Sequence, residues 1–183
     1  MIPTSSDPAL SQPPGSFLAR YTSNSSDSTY RIHARAGELY FINIGGLNAS
    51  TRAITVHFGL VGMLIASAMK KRAKRRTEAR LQSAEAQDPE FLLRQDKTSF
   101  KVFIPEISEA VIEPPSFFAL HGKQAGSWNF KMRDGKKYRF EFENTDTMKA
   151  ALEVLPGLLN ATLRVNVEWD EAKKKFQKRK ITG

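Results

Sequence analysis

Residues 126–144 read GSWNFKMRDGKKYRFEFEN, and their alternation decides the fold. Trp128, Phe130 and Met132 alternate with Asn129, Lys131 and Arg133, while Tyr138, Phe140 and Phe142 alternate with Arg139, Glu141 and Glu143. Two period-two runs around Asp134-Gly135 predict a β-hairpin with one apolar face. Cross-strand partners share a face, so apolar residues meet only when partner numbers sum to an even number. A two-residue Asp134-Gly135 loop would set Met132 against Lys137 and Phe130 against Arg139. A three-residue Arg133-Asp134-Gly135 loop pairs Phe130 with Tyr138 and Trp128 with Phe140, which keeps the apolar face whole.

The same logic reaches backwards to Tyr30–Ile44. Tyr30, Ile32 and Ala34 alternate with Arg31, His33 and Arg35, and Tyr40, Ile42 and Ile44 continue after Gly37. A three-residue loop Arg35-Ala36-Gly37 is expected here, pairing Ile32 with Tyr40 and placing Gly37 at the left-handed position. Between the hairpins, SFKVFIPEISEAVIEPP (99–115) reads as two short strands interrupted at Pro105 and stopped by Pro114-Pro115. Downstream, Met148, Ala151, Leu152 and Leu155 form an i, i+3, i+4, i+7 stripe, which predicts a helix over 146–155. Asp146 is the expected cap, and Pro156-Gly157 the expected stop. LRVNVEWD (163–170) is strand-like and precedes a basic tail. Residues 1–29, rich in Ser, Pro and Asn, read as a disordered leader with a contact at Phe17 and Leu18.

The remaining segment has a different character. Ala53–Met69 reads AITVHFGLVGMLIASAM and is followed at once by KKRAKRR. Residues 60–87 contain no proline, and after Gly62 no glycine, so one long helix is expected, apolar first and basic second, stopped by Asp88-Pro89. At 1.5 Å per residue it would reach roughly 42 Å, longer than a small domain is wide.

Charge follows the same segments. Residues 70–80 and 171–183 hold thirteen basic residues against two acidic ones, a net +11, so the rest of this +9 chain of 183 residues sums to −2. Charge gathered in this way points to a docking surface. The candidate anion-binding residues are Lys70, Lys71, Arg72, Lys74, Arg75 and Arg76 in the first segment, with Lys173, Lys174, Lys175, Lys178, Arg179 and Lys180 in the second. Phe58, Leu60, Val61, Leu64 and Ile65 are the candidate membrane or dimer contacts.

Four readings of the apolar run stand: a helix buried in the core or a dimer, insertion into one leaflet, a full span, or a groove for a partner. Seventeen residues rise roughly 25 Å against a hydrocarbon core of about 30 Å, a gap that snorkelling by Arg52 and Lys70 can close. A single crossing, however, would put residues 30–44 and 99–143 on opposite sides of a bilayer, so spanning and a shared sheet exclude each other.

Two antiparallel hairpins, short strands between them and one closing helix resemble a bacterial pleckstrin-homology-like domain. The resemblance rests on YRIHARAGELYFINIGG, FKVFIPEISEAVIEPP, WNFKMRDGKKYRFEFEN and DTMKAALEVL, about half the chain. It implies an α+β domain over 30–160, an antiparallel sheet or open barrel closed by the 146–155 helix. The insert at 46–98, and an extra strand and basic tail at 161–183, depart from the pattern. It also implies binding, often at membranes, without catalysis. Basic residues near the first hairpin hold phosphorylated head groups in such domains. Arg31, His33 and Arg35, with Lys131, Arg133 and Arg139, are the positions here, although alternating polar residues on a solvated face read equally well.

Catalysis has little support. There is no cysteine, and His33, His57 and His121 are isolated, without triad or metal-ligand spacing. Neither a metal nor a cofactor is expected, and the N-terminus lacks a secretory pattern. The sequence therefore leads to a non-enzymatic, cytoplasmic module docked on an anionic membrane surface, with a homodimer through 53–69 as one arrangement. Nucleic-acid binding through the same basic segments, with Phe176 stacked on a base, is the alternative.

Overall fold

A computed structural model describes residues 15–22, 27–35, 37–45, 79–84, 86–115 and 124–179. The chain is α+β. Three strands come first, β1 (Ser16–Thr22), β2 (Asp27–Arg35) and β3 (Glu38–Gly45), and β4 (Phe100–Phe103) follows the first helix. A one-turn 3-10 helix at Ile104–Glu106 leads to β5 (Ile107–Glu113), β6 (Gly126–Met132) and β7 (Lys137–Phe142). Helix α1 is Pro89–Gln95 and α2 is Thr145–Leu159; β8 (Leu163–Val165), β9 (Val167–Asp170) and β10 (Lys175–Lys178) follow.

Among the described residues, eight strands form one sheet in the order β4-β3-β2-β1-β7-β6-β5-β8, and β9 pairs with β10 separately. All neighbours are antiparallel except β5 and β8. The sheet does not close into a barrel, but it coils so far that strands distant in its order meet. Phe41 on β3 stacks at 5.2 Å on Phe140 of β7 and at 6.2 Å on Trp128 of β6. The inner face is one apolar cluster drawn from every strand of the two meanders, with Ile32, Leu39, Phe41, Ile112, Trp128, Phe140 and Phe142 fully buried.

The β6–β7 hairpin has the expected register: Phe130 faces Tyr138 and Trp128 faces Phe140. Its three-residue loop closes with the Gly135 amide donating to the Met132 carbonyl at 3.0 Å and Gly135 at φ +91°, a conformation suited to glycine. The first hairpin differs. Arg35 pairs with Glu38, Ile32 with Phe41 and His33 with Tyr40, one residue away from expectation, although Gly37 does take positive φ. The reason lies in ELYFINIG, where both faces are apolar. Leu39 and Phe41 enter the inner core, while Tyr40, Ile42 and Ile44 build a second cluster on the outer face with Ala84 and Leu92. A strand buried on both sides leaves no single apolar face from which to fix register.

Four further expectations are corrected. Ser16–Thr22 is not leader but a central strand between β2 and β7, with Phe17 buried in the core. Asp88-Pro89 does stop the preceding helix as expected, since helical backbone ends at Ala86, and it also starts the next one. The Asp88 carboxylate accepts from the Glu90 amide at 2.8 Å and Pro89 opens α1. The cap of α2 is Asn144, whose side chain accepts from Thr147 N at 2.9 Å in a reciprocal capping box. That helix runs through Pro156 to Leu159 because burying Leu155 and Leu159 outweighs the hydrogen bond the proline cannot make. The strand-like stretch 163–170 is broken at Asn166 into β8 and β9. The two strands interrupted at Pro105 are as expected. Of the long helix expected over 60–87, residues 79–84 and 86 are helical, while 60–78 and 85 lie outside the described residues.

Helix α2 seals one end of the coiled sheet through Met148, Ala151 and Leu155. A Cβ on Gly126 would stand 2.5 Å from the Glu113 carbonyl oxygen and 3.0 Å from the Met148 thioether, so only glycine admits this approach. The opposite end is open.

Candidate functional site: the open end of the sheet

Antiparallel register gathers Tyr21, Asp27, Gly45, Phe100, Met132 and Lys137 at the end away from α2. The turn at 97–99 is tied there: the Asn43 amide donates to Ser99 Oγ at 2.9 Å and the Tyr30 hydroxyl to the Thr98 carbonyl at 3.3 Å. Inside it lies a hollow of about 420 Å³ lined by Tyr21, Tyr30, Phe100 and Tyr138, with Lys97, Lys101 and Lys136 on the rim. The aromatic floor is stacked, Phe100 on Tyr138 at 5.6 Å and Phe130 on Tyr138 at 4.8 Å.

The rim lysines are not equivalent. Lys101 bridges Glu38 at 3.0 Å and Glu90 at 3.2 Å, which tethers α1 to the sheet and raises its pKa. Lys136 lies over the Tyr138 ring at 5.2 Å, and hydrogen bonding with that tyrosine raises its pKa. Lys97 has no ion-pair partner among the described residues. A charged rim over an aromatic floor suits a ligand with an anionic head and an apolar body.

A second hollow, of about 490 Å³, adjoins the first and shares Tyr21 and Tyr138 with it. It opens beside β5, β6 and β7 and is rimmed by Lys131, Lys137 and Arg139.

The residues singled out from sequence are distributed as follows. Phe58, Leu60, Val61, Leu64, Ile65, the run Lys70 to Arg76, and Lys180 lie outside the described residues. Lys173 and Lys174 sit in the β9–β10 turn, Lys175 and Lys178 on β10, and Arg179 just beyond; all five are exposed. Lys173 bridges Asp170 at 3.2 Å, and hydrogen bonds from Lys173 hold that carboxyl below its usual range. Phe176 does not face solvent: it packs edge-on to Trp169 at 5.1 Å inside the inner cluster. The first basic run is followed by residues 79–84 on the outer cluster, whereas the hairpin belongs to the inner one.

The strand-face set does not form one pocket. Arg35 is drawn to Asp88 at 2.5 Å and Arg133 Nε donates to the Pro105 carbonyl at 2.8 Å, leaving Lys131 and Arg139 to line the second hollow with Lys137. Sequence reading missed Lys97, Lys136 and the tyrosine floor, because they converge from three strands and two turns with no shared spacing.

Among the described residues no group of His, Asp or Glu is placed to hold a metal, and no helix is long and apolar enough to cross a membrane. Because β3 pairs with β4, residues 38–45 and 100–103 lie on one side of any bilayer, which is incompatible with a single crossing between them. No family model, curated protein or solved structure matches this chain.

Proposed function

We propose that this protein is a non-enzymatic, pleckstrin-homology-like module that docks on anionic membranes from the cytoplasmic side. The supporting observation is one of placement. The chain leaves the sheet at Gly45, at the open end that carries the aromatic hollow and its lysine rim, and enters the segment containing the apolar run and KKRAKRR. The hollow and its lysine rim thus lie at the end where the chain passes into its most apolar and most basic stretch of sequence, a combination that suits an interface where tails and head groups meet. The meander of four strands, the meander of three and a helix sealing the far end are consistent with the pleckstrin-homology-like reading. Burial of Phe176 removes the one aromatic that favoured base stacking in the basic tail.

Flotation with anionic and neutral liposomes, competed with excess DNA or RNA, tests this. The expected result is binding to anionic vesicles that weakens with salt by screening and falls further with Leu64→Asp and Ile65→Asp. If nucleic acid strips the protein from the vesicles and binds it alone as tightly, nucleic-acid binding replaces this reading.

A further inference from the structure

We propose that the second hollow is a separate site for a small phosphoryl-bearing dianion, held by Lys131, Lys137 and Arg139 on the outer side of β6 and β7. This goes beyond membrane docking and does not depend on it. The inference rests on charge that the fold leaves unspent. Lys131 and Lys137 are direct cross-strand partners, and Arg139 follows Lys137 on the same face, opposite Asn129. Like charges directly opposed on a sheet are unfavourable unless something neutralises them.

The acids of this face are already engaged. Glu109 stands opposite Lys131 in register, yet its carboxylate accepts from Arg164 at 3.2 Å. Glu113 accepts from the Asn129 amide at 3.0 Å, and Glu141 is held by Arg20 at 3.0 Å and by Gln124. The nearby Asp134 accepts from the Lys136 amide at 2.9 Å within the turn. Among the described residues, Lys131, Lys137 and Arg139 therefore form no ion pair, and they line one cavity of about 490 Å³.

Two point-charge donors and one planar fork, on neighbouring positions of one sheet face and lining one cavity, match the several oxygens of a phosphoryl group. Val111, paired with Asn129 on the same outer face, lines the cavity and would meet an organic portion of the same molecule. The phosphoryl group can belong to a soluble ester or to a lipid head group, and the two sources are separable by experiment.

Inorganic pyrophosphate is titrated into the full chain by calorimetry, and vesicles with and without phosphatidic acid are tested in parallel. Saturable, salt-sensitive binding of pyrophosphate is expected, weakened about tenfold or more in Lys131→Gln/Lys137→Gln as charge-assisted hydrogen bonds are lost. Arg94→Gln/Lys149→Gln removes equal charge at exposed positions of the two helices and should bind as the parent does. Binding only to phosphatidic acid vesicles, with the same dependence on Lys131 and Lys137, assigns the lipid as the source. Lys137→Glu should raise the thermal midpoint while abolishing binding, which separates loss of the site from loss of the fold. Absence of saturable binding to either probe, or equal loss in both double variants, overturns the proposal. Failure of the liposome flotation alone leaves this site standing.

Discussion

Trp128 is the centre of the inner core, fully buried and in ring contact with Phe17, Phe41, Phe130 and Phe140. Trp128→Ala is therefore expected to cost about 3–5 kcal/mol by urea denaturation. A near-neutral result would mean that the hairpin faces are inverted. Tyr40 gives a pH dependence. Its hydroxyl donates to Glu38 and, at 3.4 Å, to Glu90, and burial together with those carboxylates pushes the phenol from 10.0 up to about 12. A folded pKa above the unfolded one gives stability that is complete below pH 10.0 and lost as pH rises through about 12. Glu38 has the opposite sign. Hydrogen bonds from Tyr40 and then Lys101 lower its pKa, so its contribution is present above the ordinary carboxyl range and lost in acid. Thermal midpoints across the alkaline range should fall less steeply in Tyr40→Phe than in the parent; an unchanged slope would remove Tyr40 as the cause.

At the scale of elements, the β9–β10 hairpin shows how one segment serves two ends. Its polar residues keep Lys174, Lys175, Lys178 and Arg179 in solvent, while Phe176 and Val167 anchor it to the inner cluster. Lys149 of α2 lies 4.2 Å from the centre of the Trp169 ring, fastening the hairpin to the helix that seals the sheet. Phe176→Ala should cost roughly 3 kcal/mol and release the hairpin to faster amide exchange. It should leave anion binding at Lys131 and Lys137 intact, since the two lie on different elements. Loss of both together would show that the hairpin supports the β5–β7 face.

For the whole molecule the decisive strand is β1, which joins the two meanders by pairing with β2 over seven residues and with β7 at Arg20 and Tyr21. Deleting residues 1–22 should therefore abolish cooperative unfolding and near-ultraviolet dichroism; retention of both would restore the reading of this stretch as a dispensable leader. The sequence by itself determined the β6–β7 hairpin and its register, the break at Pro105 and the apolar stripe of α2, because each is a local pattern in which one face is apolar and the other polar. It also determined that the excess charge sits in two segments. Only the tertiary structure decided what depends on distant partners. SFLARYT is too short and mixed to declare itself, and becomes a central strand because β2 and β7 flank it on both sides. The register of β2 and β3 was decided by the second cluster, since Ala84 and Leu92 cover Tyr40, Ile42 and Ile44 and make both faces of β3 interior. Likewise, whether Lys131, Lys137 and Arg139 stand free depends on where Arg164, Asn129, Arg20 and Gln124 spend their hydrogen bonds, and those residues meet the acids only once β8 pairs with β5, β5 with β6, β1 with β7 and β6 with β7.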